Sequence, residues 1–316
     1  MLRKTIAKKS SFVISALIFC LISTGCFSAS SQDEKNLNKT EKKVSTGYEK
    51  PKVVGQIKTN EITESSGIAA SKCQPDVLWT HNDSDAEAAL YAINSEGKLL
   101  GAFNVKGAKN TDWEDIAAVK DGNGECFLYI GDIGNNLRHR GELKVYRVKE
   151  PEVSDKLSKQ IIESVEVIRF AYPDFRHDAE TLMVHPQKGD IYILTKRLSG
   201  ASGVYKLSRN YDLKKVNTLE KIADLTVPAV PNGFLTGGDI SPDGRRVVLC
   251  DYFSAYEIVL PERAKNFDAI WKEKPTIIEL GERAQGEAVG YSADGNSIFA
   301  TSEKANSPLI QVSRIK

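Results

Sequence analysis

Five seven-residue windows of this 316-residue chain align without gaps: Val77-Leu-Trp-Thr-His-Asn-Asp83, Phe127-Leu-Tyr-Ile-Gly-Asp-Ile133, Ile191-Tyr-Ile-Leu-Thr-Lys-Arg197, Val247-Val-Leu-Cys-Asp-Tyr-Phe253 and Ile298-Phe-Ala-Thr-Ser-Glu-Lys304. Each is apolar and β-prone for four residues and then turns polar, as a strand does when it leaves a buried core for a solvent-facing rim. A chain that repeats one such unit is constrained to a repeat architecture before anything else about it is considered.

The rest of the unit falls into place around these windows. Upstream of each lies a second short apolar segment: Ser66-Gly-Ile-Ala69, Glu114-Asp-Ile-Ala117, Glu180-Thr-Leu-Met183, Gly238-Asp-Ile-Ser241 and Glu287-Ala-Val-Gly290. Turn pairs such as Asp121-Gly122, Lys188-Gly189, Asp243-Gly244 and Asp294-Gly295 separate the two segments and mark tight hairpins. A third strand carries Tyr91, Tyr146, Tyr205 or Tyr256 at a matching place, with Ile310 in the fifth unit. Fourth strands are expected near 99–105, 165–170, 219–225 and 276–280, whereas the fifth unit ends after its third. A spare strand-like segment, Val53-Val-Gly-Gln-Ile57, precedes the first unit.

Four-stranded units in tandem at a spacing of about 50–65 residues predict an all-β fold, a β-propeller. Five four-stranded blades are expected, with six as the alternative count. The N-terminal strand would complete the last blade and close the ring, removing sheet edges that would otherwise template aggregation. A β-sandwich or two small β domains would not explain the complementary ends. Segments 151–160 and 261–274 are longer excursions, and 263–272 is expected as a short helix on the rim.

The N-terminus reads as a bacterial export signal. Arg3, Lys4, Lys8 and Lys9 form a basic region, and residues 11–22 form an apolar run too short for a confident membrane span. The run ends in Ser23-Thr-Gly-Cys26, which resembles a lipobox, although Ser23 stands where leucine is commoner. Residues 1–25 are therefore expected as a lipoprotein signal peptide, with lipidation of Cys26; ordinary cleavage nearby is the other reading. Acyl chains on Cys26 would anchor the chain at about 0.8 kcal/mol per buried methylene. Residues 26–51, polar and charged, would be a flexible tether, and 52–316 the propeller. The expected location is the cell envelope, outer membrane or cell surface rather than cytoplasm, with Phe27 giving no inner-membrane retention signal.

Net charge argues against a nucleic-acid partner: it is +1 for the whole chain. The first 25 residues hold four basic residues and no acid, so their loss takes the charge to −3. The domain is expected to be monomeric.

If strands are numbered outward from the axis, the first begins and the second ends on the same face. That mouth would gather Ser66, Glu114, Asp115, Glu180, Asp239 and Glu287 from the inner strands. The second strands would add His81, Asn82, Asp83, Asp132, Asn135, Lys196, Asp251, Tyr252, Ser302 and Glu303. Carboxylates facing a narrow polar channel are the oxygen ligands that Ca²⁺ accepts, and Glu114, Glu180 and Glu287 are the candidate metal ligands. Without a cation they would repel one another and push their pKa values upward. The bland alternative is that each carboxylate ties down neighbouring loop amides. His81 and Asp132 are the candidate bases, with His177 a further choice. The sequence contains no HExxH zinc pattern, no G-x-S-x-G elbow and no nucleotide-binding fingerprint.

Cys73 and Cys126 fall in the first hairpins of adjacent units, on the face away from the mouth. An envelope location permits a disulfide between them. Cys250, in an apolar strand, is expected as a buried free thiol.

These residues also carry a resemblance. Glu64-Ser-Ser-Gly-Ile-Ala-Ala70, Leu78-Trp-Thr-His-Asn-Asp83, Leu90-Tyr-Ala-Ile93, Asp112-Trp-Glu-Asp-Ile116 and Tyr129-Ile-Gly-Asp132 look like bacterial secreted propellers of unassigned function. More distantly, residues 60–315 are similar to the SdiA-regulated propeller family, which implies a propeller with a metal in its mouth. The chain resembles β-propeller phytases less, since their Asp-Ala-Asp-Asp-Pro-type motif is absent. Two function classes follow. One is a non-catalytic envelope lipoprotein whose mouth binds a small molecule, glycan or protein, with Ca²⁺ as its cofactor. The other is a metal-dependent hydrolase of a lactone or phosphoester.

Overall fold

The computed structural model describes residues 47–154 and 159–315. Cys26, the leader at 1–25 and most of the 26–51 tether lie outside the described residues. The fold is a five-bladed β-propeller, and the repeat windows supply its second strands. Blade 1 contains Ser65–Ala70, Leu78–Asn82, Ala89–Ile93 and Leu99–Val105. Blade 2 contains Trp113–Lys120, Cys126–Asp132, Leu143–Lys149 and Glu166–Ala171. Blade 3 contains Ala179–Val184, Ile191–Thr195, Ser202–Leu207 and Glu220–Leu225. Blade 4 contains Gly237–Ile240, Arg246–Cys250, Ser254–Val259 and Thr276–Glu279. In blade 5, Ala288–Tyr291, Ser297–Thr301 and Pro308–Ser313 are completed by Lys52–Gln56 from the start of the ring.

That closing strand pairs antiparallel with Pro308–Ser313, and closure begins before residue 52. Tyr48 bridges to Arg314, its ring is buried, and its hydroxyl donates to Glu257 at 2.6 Å. The last residues of the expected tether therefore belong to the propeller, and residues 42–316 form a compact unit with its own core.

Most of the inner and second strands are buried along their whole length, because each blade is covered on both faces by its neighbours. The core thus lies between blades. Trp79, Trp113, Leu128, Ile130 and Tyr146 pack together in the seam of blades 1 and 2. Burying a large apolar side chain of this kind stabilises by about 1.5–3 kcal/mol. At the axis the inner strands crowd. A Cβ on Gly290 would stand 2.4 Å from the Ile68 carbonyl oxygen of blade 1, so glycine is required there.

The excursions close the outer edges. Gln160–Ile162, on the way to the fourth strand of blade 2, pairs parallel with the outer strand of blade 1. Val216–Thr218, in the corresponding link of blade 3, pairs parallel with the outer strand of blade 2. In blade 4 the same link forms a 3-10 helix, Phe267–Lys272, which buries Phe267, Ile270 and Trp271. Its Asp268 accepts from Tyr192 of blade 3 at 2.6 Å. Three successive links thus reach back to the preceding blade, which masks strand edges.

Cys73 and Cys126 are joined as a disulfide between the first hairpins of blades 1 and 2, with Cα atoms 6.1 Å apart. Cys250 is a buried free thiol whose pKa is pushed up to about 12 by burial. No helix among the described residues is long and apolar enough to cross a membrane.

Candidate functional site

The inner strands deliver their acids through a shared irregularity. In blades 1, 2 and 3 the register between first and second strand shifts across Ser66, Glu114 and Glu180 respectively. A bulge of this kind re-aims one side chain out of the alternating pattern. Glu114 and Glu180 are both buried, and burial raises both pKa values, with Glu180 adding to the rise at Glu114 and Glu287 adding to that at Glu180.

Two carboxylate triads result, and they share one member. Asp83, Asp112 and Glu114 bring ligand oxygens within 4.8 Å of one another, and so do Asp83, Glu287 and Glu303. Asp83 leaves the second strand of blade 1, Asp112 and Glu114 lead into blade 2, and Glu287 and Glu303 belong to blade 5. The expected trio Glu114, Glu180 and Glu287 is therefore split between the two triads and an ion pair. Glu180 accepts from Lys196 Nζ, and the ammonium also faces the Phe234 ring at 4.7 Å and the Tyr252 ring at 5.4 Å.

Burial dominates the electrostatics. It lifts Asp83 to about 7, with Glu287, Asp112 and Glu64 adding to the effect. Asp112 is lifted to about 6 by burial, against the opposing pull of Arg140. Glu303 rises to about 10 through burial and its hydrogen bond to Glu287. Glu114 and Glu180 are pushed well above the carboxylate range, again chiefly by burial. Burial would lower Lys196, but Glu180 beside it holds its pKa above the usual value. Asp83 Oδ1 and Glu180 Oε2 are buried without a hydrogen-bond partner. Buried carboxylate oxygens in that state suit a hard cation better than they suit water-free isolation.

The other sequence candidates are placed elsewhere. Asp115, one residue beyond the bulge, turns to the axis. Its Oδ2 accepts from Leu182 N–H (2.9 Å) and Gly238 N–H (3.2 Å), and its Oδ1 from Ile116 N–H (2.9 Å). It thereby ties blades 2, 3 and 4 together. Asp239, the same repeat position in blade 4, accepts from Tyr291 N–H of blade 5 at 3.0 Å. Asn82 accepts from Thr63 and Glu64 N–H, and Asp251 from Phe253 N–H, Ser254 N–H and the Tyr256 hydroxyl. Asn135 ties its own loop to the entry of blade 3, donating to the Arg140 and His177 carbonyls and accepting from Arg140 N–H. For these five the contacts display the structural role of tying down backbone groups, at the axis for Asp115 and Asp239 and in loops for the other three.

Neither candidate base contributes a ligand atom to the triads. His81 is fully buried in the seam of blades 1 and 2, edge-on to Trp113, and burial lowers its pKa to about 4. Its Nδ1 is engaged with the Asn82 carbonyl at 3.0 Å. Asp132 pairs with Arg140 at 2.7 Å and accepts from Asp112 N–H at 3.1 Å. His177 contacts Asp174 and the Tyr205 hydroxyl.

The cluster also contains residues that the repeat does not single out. Asp112 stands two positions before Glu114, outside every aligned segment, and its alternation with Glu114 is the signal that points to it. Phe234 lies in the link between blades 3 and 4 and has no repeat counterpart. Gly134 of the Gly131-Asp-Ile-Gly-Asn-Asn136 loop presses its backbone against the Asp112 and Glu114 carboxylates.

No known protein family matches the chain, and no curated protein matches it either.

Proposed function

We propose that this chain is a membrane-anchored envelope lipoprotein whose propeller mouth binds a ligand or partner over a Ca²⁺ ion. The observation that carries the reading is the position of Asp83, shared by two triads drawn from three blades. The unpartnered oxygens of Asp83 and Glu180 add to it. Ca²⁺ accepts six to eight oxygens at flexible geometry, and five carboxylates from four chain segments supply such a set. Asp83, Asp112, Glu114, Glu287 and Glu303 would hold the ion, and the ion would supply charge compensation and open coordination positions for acidic or hydroxyl oxygens. Lys196, between two aromatic rings and beside Glu180, would position a ligand at the edge of the cluster. The SdiA-regulated propeller resemblance supports the same reading.

Thermal unfolding of residues 42–316 tests it. Calcium added after chelation should raise Tm by several degrees in the wild type and have little effect in Asp83→Asn. An unchanged Tm at millimolar Ca²⁺ would remove the ion from the proposal. Chelator-sensitive turnover of generic lactone or phosphoester substrates, lost in Glu114→Gln, would assign the hydrolase class instead.

A further inference from the structure

The mouth face is divided into two sectors of opposite character. The acidic triads draw on blades 5, 1 and 2. The loops of blades 2, 3 and 4 on the same face carry exposed apolar side chains instead. Among the described residues, the five most exposed large hydrophobic side chains are Val230 (100%), Leu137 (84%), Phe175 and Leu198 (both 78%) and Phe253 (74%). Leu137, Leu198 and Phe253 follow second strands, whereas Phe175 and Val230 lie in links from a fourth strand to the next inner strand. By the alternation of strand direction, all five stand on the mouth side. They come from five separate loops.

Basic residues are interleaved with them. Arg138 follows Leu137, Arg176 follows Phe175 and Arg197 precedes Leu198. Arg138, Arg140 and Arg176, with Tyr172 and Phe175, line a cavity of about 690 Å³. Its one carboxylate, Asp174, is already engaged by the Tyr205 hydroxyl at 2.8 Å and His177 Nε2 at 3.0 Å. Arg140 is held by Asp132, and Arg176 donates to the His139 carbonyl at 2.8 Å. Arg138 has no carboxylate partner among the described residues. The cavity is cationic at its rim and aromatic on one wall, and it opens between two exposed apolar tips.

Apolar tips alternating with guanidinium groups match the interface of an anionic bilayer. Acyl chains take the apolar side chains, while phosphates meet the arginines. A phosphate accepts paired N–H donors from guanidinium in planar geometry. We infer that the loops of blades 2 to 4 dock on an anionic phospholipid surface, with a phosphate headgroup in the cavity of Arg138, Arg140 and Arg176. This contact involves the propeller itself and does not depend on lipidation of Cys26.

Co-sedimentation of residues 42–316, which lack Cys26, with vesicles tests the inference. Binding is expected to vesicles containing about one third phosphatidylglycerol and not to pure phosphatidylcholine, and to weaken as salt is raised. Phe175→Ser combined with Leu137→Ser should cut binding at least about tenfold, as should Arg138→Glu combined with Arg176→Glu. Val259→Ser, an exposed apolar site on the opposite face, should bind as the wild type does. All five substituted positions are exposed, so unchanged melting would confirm that these variants fold. Equal binding to both vesicle types, no binding to either, or an equal loss in Val259→Ser would overturn the inference. A dimer in sedimentation equilibrium that the Phe175 and Leu137 changes abolish would assign the face to a second copy of the chain and overturn it as well.

Discussion

Gly134 lies so close to Glu114 that a Cβ there would stand 2.1 Å from the Glu114 Oε1 atom and 2.5 Å from the Asp112 carboxyl carbon. The acid pair entering blade 2 and the glycine loop leaving its second strand are one construction. The loop backbone forms a wall against which two carboxylates rest. Gly134→Ala should therefore displace Glu114 and Asp112 while leaving the blades paired. The expected outcome is a loss of the calcium-induced rise in Tm with a change in basal Tm of only a few degrees. An alanine variant with the full calcium response would show that the wall does not matter.

Asp115 should matter for stability far more than for the mouth. Asp115→Ala removes the acceptor for three buried N–H groups, on Ile116, Leu182 and Gly238. Buried donors left unpaired cost about 1–3 kcal/mol each, so a loss of about 3 kcal/mol or more is expected in urea unfolding. A loss below about 1 kcal/mol would mean that the axis relaxes around the gap.

The metal-free domain should lose stability as pH rises, the reverse of a salt-bridged protein. Folding lifts Asp83 from 3.8 to about 7 and Asp112 from 3.8 to about 6. A carboxylate with a raised folded pKa contributes fully below its unfolded pKa, and that contribution is lost as pH rises through the folded value. Tm in chelator should thus fall between about pH 4 and pH 7. Calcium favours the charged ligands and should flatten that fall. A chelated Tm that rises across this window would contradict the assignment.

The disulfide should stabilise through the unfolded chain. It spans 53 residues, which corresponds to about 4 kcal/mol of loop-closure entropy as an upper figure. Replacing Cys73 and Cys126 together by alanine should lower unfolding stability by about 2–4 kcal/mol. Intact mass with and without reductant should differ by about two mass units, the two hydrogens taken up when one disulfide is reduced.

The ring was readable in the sequence because each blade repeats its chemistry at fixed places. Tyr146, Tyr205 and Tyr256 all use a buried third-strand hydroxyl to hold a loop, through Lys109, Asp174 and Asp251. The edge-covering segments were not readable: Gln160–Ile162 and Val216–Thr218 are three residues each and pair only with a neighbouring blade. In the mouth, the repeat identified the acidic positions but not their division of labour. Glu114 and Asp115 are adjacent acids in one apolar segment. A single register shift sends one into the triads and the other to the axis. Asp251 resembles Asp83 as an acid near the end of a second strand, yet it is consumed by its own turn. Local turn geometry decides such cases, and composition does not report it.

Calcium in the mouth is tested most directly by titration calorimetry of residues 42–316, chelated and then dialysed free of metal. One Ca²⁺ per chain is expected, with proton release that grows as the pH is lowered toward 6. Asp83→Asn, which touches both triads, should abolish the binding, whereas Asp121→Asn in a hairpin on the opposite face should leave it intact. Absence of heat and of bound metal at millimolar Ca²⁺, or undiminished binding in Asp83→Asn, would contradict the proposed site.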